Sequence, residues 1–250
     1  MNYYALVNSY WYENSGLYII ILIFLVFAVF FIVGNITAQR KIKEYSQEGK
    51  INKSFFENFS KISGDIEYTY TNVIFLGLEK YFLLYLIDKE DDQPVVIAKT
   101  NITFKSDDAN DSKEFFKLRL GFSWSEFNGT ITAKILEGNI DATIERGIIR
   151  VKFNSKEIGI IDYQTKKFST TDNLEGQIET PETNINELLT EKEQEEELFS
   201  IRRGTENIVD VDIYSRDDAI FKEGELTLTE EIKILALVKY LFEKSVYMKK

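Results

Sequence analysis

An uninterrupted apolar run near the start of the chain limits the folds that are available to it. Residues 17–33 read LYIIILIFLVFAVFFIV, seventeen residues without a charged side chain. With residues 34–36 added, the segment reaches about 30 Å as a helix that rises about 1.5 Å per residue, which matches the hydrocarbon core of a bilayer. The pattern therefore predicts a single N-terminal transmembrane helix over residues 17–36.

Two other interpretations of this run are weaker. A buried core helix would need protein on every side, and a cleaved signal peptide has a basic region before its apolar stretch. Residues 1–16 contain no Lys or Arg, and Glu13 is their only charged side chain. They carry an aromatic cluster, which is typical of a membrane interface and also of a partner-binding peptide. The cluster comprises Tyr3, Tyr4, Tyr10, Trp11 and Tyr12.

The basic residues near the run all lie on one side of it. None precedes the run, and those that follow it are Arg40, Lys41, Lys43, Lys50 and Lys53. The positive-inside rule then places the C-terminal domain in the cytoplasm and the N-terminus outside. Asn-x-Ser/Thr glycosylation motifs point the other way, but they arise by chance in a chain rich in Asn, Ser and Thr. They begin at Asn35, Asn52, Asn58, Asn101, Asn110 and Asn128.

The composition excludes several classes of function. A net charge of −11 and a pI near 4.8 argue against a nucleic-acid partner, which would need a basic face. The chain has no Cys and no His, so it lacks a thiolate nucleophile, a thiolate zinc site and the commonest general base. It also contains no GxSxG, P-loop or GxGxxG motif. We therefore expect no catalytic residues and a protein that is not an enzyme.

Residues 37–63 follow the predicted anchor as a juxtamembrane segment. Apolar side chains in its second half recur at the spacing of one helix face; they are Phe55, Phe56, Phe59 and Ile62. One interpretation is a short helix lying on an anionic membrane surface between lysines. The other, which we favour, is that the aromatic face packs against the domain that follows.

Residues 64–250 have the pattern of an antiparallel β domain. Short stretches rich in β-branched and aromatic residues alternate with tight turns, and helical patterns do not separate them. The spacing predicts a mainly β (α+β) fold, an antiparallel barrel or sandwich. The predicted strands are residues 66–78, 81–87, 94–105, 116–122, 130–136, 140–145, 148–153, 158–163, 207–214 and 219–228.

Two stretches depart from this β pattern. Residues 181–197 are strongly acidic and predict an exposed insertion. Residues 229–244 predict a helix that begins near a Thr227–Glu230 capping box and is apolar on almost every face. Because its apolar part is too short to span a bilayer, we expect it to be buried in the β domain. The buried side chains should include Ile232, Leu235, Leu237, Val238 and Leu241.

Three stretches resemble the tubby-like superfamily, which includes phospholipid scramblases and LURP-one-related proteins. Residues 148–163 resemble its strand–turn–strand unit, and residues 226–248 resemble the terminal segment of scramblases. The Asp-x-Asp pair at Asp210 and Asp212 is similar to the acidic segment ahead of the scramblase helix. The resemblance implies a twelve-stranded barrel around a hydrophobic C-terminal helix, with Ca²⁺ binding at the two aspartates.

Acidic clusters are the candidate sites that the residues themselves suggest. One is the turn at residues 88–92, a second is the loop at residues 107–111, and a third surrounds Asp210 and Asp212. Carboxylate oxygens suit a hard cation such as Ca²⁺, although none of the clusters has EF-hand spacing. Solvated turns are the commoner explanation, since Asp and Asn favour turns without any ligand. We therefore expect no cofactor, apart from weak Ca²⁺ binding at Asp210 and Asp212.

Together these patterns predict a membrane-anchored, non-enzymatic binding or scaffolding protein whose β domain faces the cytoplasm. Its expected partners are the lipid bilayer and either anionic lipid head groups or other membrane-protein subunits of a larger assembly, and no nucleic acid. The main alternative is a scramblase-like protein that interacts with lipid or responds to calcium. A more distant one is a hydrolase that uses paired carboxylates.

Overall fold

A computed structural model of the protein describes residues 19–26, 29, 33, 36, 51–74, 77–91, 93–104, 127–180, 198–212 and 219–247. The chain divides into two compact units, Met1–Tyr45 and Ser46–Lys250. The predicted aromatic segment 1–16 and acidic insertion 181–197 both lie outside the described residues.

In the first unit every described residue is helical, and all of these residues are apolar and exposed. The rest of the predicted transmembrane segment 17–36 lies outside the described residues. Within the ranges given above, no helix is both long enough and apolar enough to cross a membrane. The transmembrane helix therefore stays a prediction.

The described part of the second unit forms twelve antiparallel strands in one sheet, in which each strand pairs with the next along the chain. The sheet curls into a nearly closed barrel, so the mainly β antiparallel fold predicted from the sequence is confirmed in its barrel form. The strands are β1 Ile62–Ile74, β2 Gly77–Asp88, β3 Pro94–Phe104, β4 Phe127–Ile135, β5 Gly138–Glu145, β6 Ile148–Phe153, β7 Lys156–Asp162, β8 Lys167–Thr170, β9 Glu175–Ile178, β10 Leu198–Arg203, β11 Glu206–Asp212 and β12 Phe221–Glu223.

Tight turns set the register of the central hairpins. Arg146 and Gly147 join β5 to β6 with φ of 52° and 77°, and Asn154 and Ser155 join β6 to β7 with φ of 47° and 69°. Positive φ at both central positions gives the turn a twist that matches the strands. The Asn154 side chain also accepts a hydrogen bond of 2.9 Å from the Asn139 N–H. The alternation of apolar and polar residues then turns one face of each strand inward.

A single helix fills the space inside the sheet. Helix α1, Glu230–Tyr247, contacts β3, β4, β7 and β11, which lie at different positions around the sheet. Every residue from 234 to 243 is buried, which explains why the sequence has no polar face there. The predicted burial is confirmed for Ile232, Leu235, Leu237, Val238 and Leu241.

The bounds of α1 differ from the expected ones at both ends. The helix begins after Thr229, whose hydroxyl accepts a hydrogen bond of 3.4 Å from the Ile232 N–H, so Thr229 caps the helix and the predicted cap at Thr227 is wrong. The helix also continues to Tyr247. Its eighteen residues amount to about 27 Å, so its charged residues, rather than its length, distinguish it from a membrane span.

Residues 51–61 cover part of the barrel. They contain turns and the short 3-10 helix Phe59–Lys61. Phe55, Phe59 and Ile62 are buried, and Phe56 packs in an edge-to-face geometry against Phe153 of β6, with ring centroids 6.2 Å apart. These aromatic side chains therefore pack on the β domain, as the favoured interpretation of the sequence predicts.

Candidate functional site

The first acidic cluster forms ion pairs within the domain. Asp88, at the end of β2, is fully buried and accepts a hydrogen bond of 2.8 Å from the Lys53 ammonium. The same lysine pairs with Asp91, and Lys61 pairs with Glu90 at 2.9 Å. Burial by itself would raise the pKa of Asp88, but hydrogen bonds from Lys53 and from the Glu90 N–H outweigh burial and lower that pKa. Asp88 is therefore held by a lysine of the same domain, while Glu90 and Asp91 are exposed at the surface of the turn.

The other two clusters are described only in part. The loop at residues 107–111 lies outside the described residues, as do Asp217 and Asp218 of the third cluster. Asp210 and Asp212 both lie on β11, two residues apart. Asp210 faces Ser200 of β10 and Lys222 of β12 in the strand register. The side chain of Asp212 is not among the described ones.

Asp210 lines a groove of about 680 Å³ on the sheet. The groove lies between the β10–β11 hairpin and the residues that follow β12. Gly224 allows these two parts to approach closely, because a side-chain carbon there would lie 2.0 Å from the Asn207 carbonyl oxygen. The lining residues are Arg202, Thr205, Glu206, Asn207, Asp210, Glu223, Gly224 and Glu225.

The charges of this groove are mostly negative. Four of its lining side chains are carboxylates and one is a guanidinium. Arg202 pairs with Glu179 at 2.7 Å, and Glu223 pairs with Lys233 at 3.1 Å. The groove thus offers acceptor oxygens to a cationic or hydrogen-bond-donating group. Among the described side chains, no three His, Cys, Asp or Glu residues are placed so that they could hold one metal ion, and Ca²⁺ binding at Asp210 and Asp212 stays a prediction.

A polar cluster inside the barrel was missed at the sequence level. Lys239 and Glu243 lie one turn apart on α1, and both are fully buried. The Lys239 ammonium lies 2.9 and 3.0 Å from the two oxygens of Glu243, and the Tyr163 hydroxyl donates to one of them at 2.8 Å. The i,i+4 spacing of Lys239 and Glu243 could have indicated their pairing from the sequence. The contribution of Tyr163, which lies between β7 and β8 and eighty residues away in the chain, could not have been predicted in this way.

Burial governs the protonation of this cluster. Burial lowers the pKa of Lys239 and raises that of Glu243, while their mutual attraction and the Tyr163 hydrogen bond act in the opposite direction. Both side chains are closed off from solvent by apolar neighbours such as Phe242, whose ring lies 4.9 Å from that of Tyr163. A substrate has no access to these groups, so their role is in the packing of the helix.

No family model matches this chain, and neither does any curated protein or solved structure. The tubby-like resemblance is therefore untested by these comparisons and stays a prediction.

Proposed function

We propose that this chain is a membrane-anchored, non-enzymatic binding or scaffolding protein whose β domain faces the cytoplasm. The observation that carries the proposal is the exposure of apolar side chains in the first unit. The exposed fractions of the described helical residues there range from 46% for Ile21 to 72% for Phe24. A contiguous apolar surface of this kind requires a lipid or protein environment, and the charge-free run of residues 17–33 has the length for lipid.

The β domain supports a binding role. Helix α1 occupies the space inside the barrel that a ligand would fill in an open barrel of this type. A partner would therefore meet the outer surface of the domain, where the groove around Asp210 is one concave feature. The proposed partners are the bilayer itself and either other membrane-protein subunits or anionic lipid head groups.

Deletion of residues 17–36 tests the anchor. We expect the full chain to stay with membranes after alkaline carbonate extraction, and the deletion variant to move to the supernatant with the melting temperature of its β domain unchanged. A matched variant in which a leucine run of equal length replaces residues 17–33 should again stay with membranes. Release of the full chain by carbonate would contradict the proposal.

The orientation has its own test. In sealed, right-side-out cells, added protease should leave the domain after Lys43 intact. Glycans on Asn101 or Asn128 would instead place that domain outside.

A second candidate function is a scramblase-like protein that interacts with lipid or responds to calcium. The position of Asp210 in an acidic groove favours it, together with the sequence resemblance. Two carboxylates supply few of the six to eight oxygens that Ca²⁺ prefers, so we expect weak binding at best in a calcium titration of the full chain. Sub-micromolar affinity that is lost when Asp210 and Asp212 are changed to Asn would favour this second function.

A further inference from the structure

Residues 51–61, which we call the clasp, lie against the two ends of the sheet. Within the described residues, β1 and β12 are the first and last strands in the sheet order. The backbone link between them is a hydrogen bond of 2.7 Å from the Ile220 N–H, just before β12, to the Ile62 carbonyl, at the start of β1. Since β12 has three residues and β1 has thirteen, β12 is too short to pair along the length of β1. We call this junction the seam.

The aromatic part of the clasp packs on the β12 side of the seam. The Phe59 ring is stacked on that of Phe221 in β12, with centroids 4.5 Å apart and planes 18° from parallel. Phe221 in turn contacts Tyr240 of α1 at 5.9 Å. Phe59 of the clasp is therefore connected to α1 through the ring of Phe221 in β12.

The clasp also binds the first turns of α1. The Lys233 ammonium donates a hydrogen bond of 3.0 Å to the Phe56 carbonyl and lies 5.3 Å from the centre of the Phe59 ring. The same ammonium pairs with Glu223 of β12. Lys233 thus joins the clasp, the last strand and the helix at one point.

The polar part of the clasp binds the other side of the seam. Lys53 pairs with Asp88 and Asp91, and Lys61 pairs with Glu90, in the turn between β2 and β3. The Lys89 N–H donates a hydrogen bond of 3.0 Å to the Lys61 carbonyl. The clasp therefore spans the seam, with aromatic contacts on the side of β12 and ion pairs on the side of β1 and β2. It also contacts the central part of the sheet, through Phe56 against Phe153 of β6 and through the Ser54 hydroxyl, which donates to Glu137.

We propose that the clasp is a strap that holds the barrel closed at its seam. Phe55 and Phe59 anchor it in the core of the domain, while several of its ion pairs are partly exposed, where solvent weakens them. Opening of the seam therefore requires the loss of these buried aromatic contacts as well as of the ion pairs. Its opening frees β12, the start of β1 and the first turns of α1 while the central hairpins stay folded.

In the chain, the clasp follows residues 37–50, which include four basic side chains after the apolar run. The strap itself does not rest on the proposed function, because all of its contacts lie within the second unit.

Amide hydrogen exchange of the full chain in detergent micelles tests the proposal. Phe59→Ala should speed the exchange of the Ile220 amide by about tenfold or more, because the aromatic attachment to β12 is lost. The amides of the β5–β6 hairpin should keep their protection. The matched control is Phe168→Ala, which removes a buried ring from β8, away from the seam. It should not speed exchange at Ile220 relative to exchange in the hairpin.

A milder pair of variants keeps the test decisive if Phe59→Ala does not fold. Lys53→Met removes the ion pairs to the β2–β3 turn and retains an apolar side chain. Its matched control is Lys152→Met, the same substitution at an exposed lysine of β6. We expect faster exchange at Ile220 in the first variant alone. Equal acceleration at Ile220 and in the β5–β6 hairpin, or no acceleration at Ile220, would overturn the proposal.

Discussion

The chain contains two long apolar stretches, and the exposure of their described side chains is opposite. In residues 17–33, the described side chains are about half exposed or more, and the run has no charge. In α1, the apolar side chains from residue 234 to 242 are almost completely inaccessible, although the helix also carries Lys239 and Glu243. Of the two stretches, α1 is the one that carries charged side chains, and it is also the one that is buried.

This difference teaches that apolar content alone does not decide where a helix goes. The β domain supplies a closed apolar lining for α1, and it supplies the Tyr163 hydroxyl to the one carboxylate that is buried there. A buried charge is tolerated when it is paired and hydrogen-bonded. Residues 17–33 carry no charge and need no such partner.

The largest expected effect removes one member of the buried pair. Glu243→Leu leaves Lys239 buried without its partner and should destabilise the barrel by about 3–5 kcal/mol. The double variant Lys239→Met/Glu243→Leu makes this part of α1 as charge-free as residues 17–33. Its unfolding free energy should recover most of that loss or exceed that of the wild type. Urea unfolding of the full chain in detergent, followed by circular dichroism, measures both. A double variant as unstable as the single one would contradict this account.

A matched pair of leucines sharpens the comparison. Leu235 in α1 is fully buried, whereas Leu22 in the apolar run is 62% exposed. Leu235→Ala should cost about 2–5 kcal/mol because it leaves a cavity in a packed interior. Leu22→Ala should change the unfolding free energy of the β domain by no more than about 0.5 kcal/mol. Equal effects in the same urea titration would mean that α1 is peripheral.

The smallest expected effect concerns the ion pair between Lys53 and Asp88. The pKa of Asp88 lies below its ordinary value of 3.8. The stability that it contributes is therefore fully present above that value and is lost as the pH falls through the lowered pKa. Asp88→Asn should flatten the dependence of stability on pH below about pH 4. An unchanged acid profile in the variant would show that this carboxylate does not link stability to pH.

The sequence was most informative where the signal is local. The alternation in β4 to β7, the tight turns at Gly147 and Asn154, and the run of apolar residues in α1 each depend on neighbours within a few positions. These signals were enough for the antiparallel sheet and for the burial of Leu235. The tubby-like resemblance stays a prediction, because the described barrel neither confirms nor refutes it.

The pairing of charges could not be predicted in the same way. Lys53 pairs with Asp88, which is thirty-five residues away in the chain, and Tyr163 donates a hydrogen bond to Glu243, which is eighty residues away. Such contacts depend on how the sheet curls and on where α1 lies, which no local pattern encodes. From the sequence, the carboxylates of the β2–β3 turn could belong to a solvated turn or, less commonly, to a cation site. In the structure, lysines of the clasp pair with Asp88, Glu90 and Asp91.

In chain order, all twelve described strands precede the helix that fills them. At about 5–20 residues per second, a ribosome needs on the order of ten seconds to translate the stretch from β1 to β12 before it reaches α1. Throughout that interval, inward-facing side chains such as Ile131, Ile144 and Ile149 have no helix to cover them. The nascent chain therefore carries an uncovered apolar sheet face, which is the kind of surface that chaperones bind, until its own last element is synthesised.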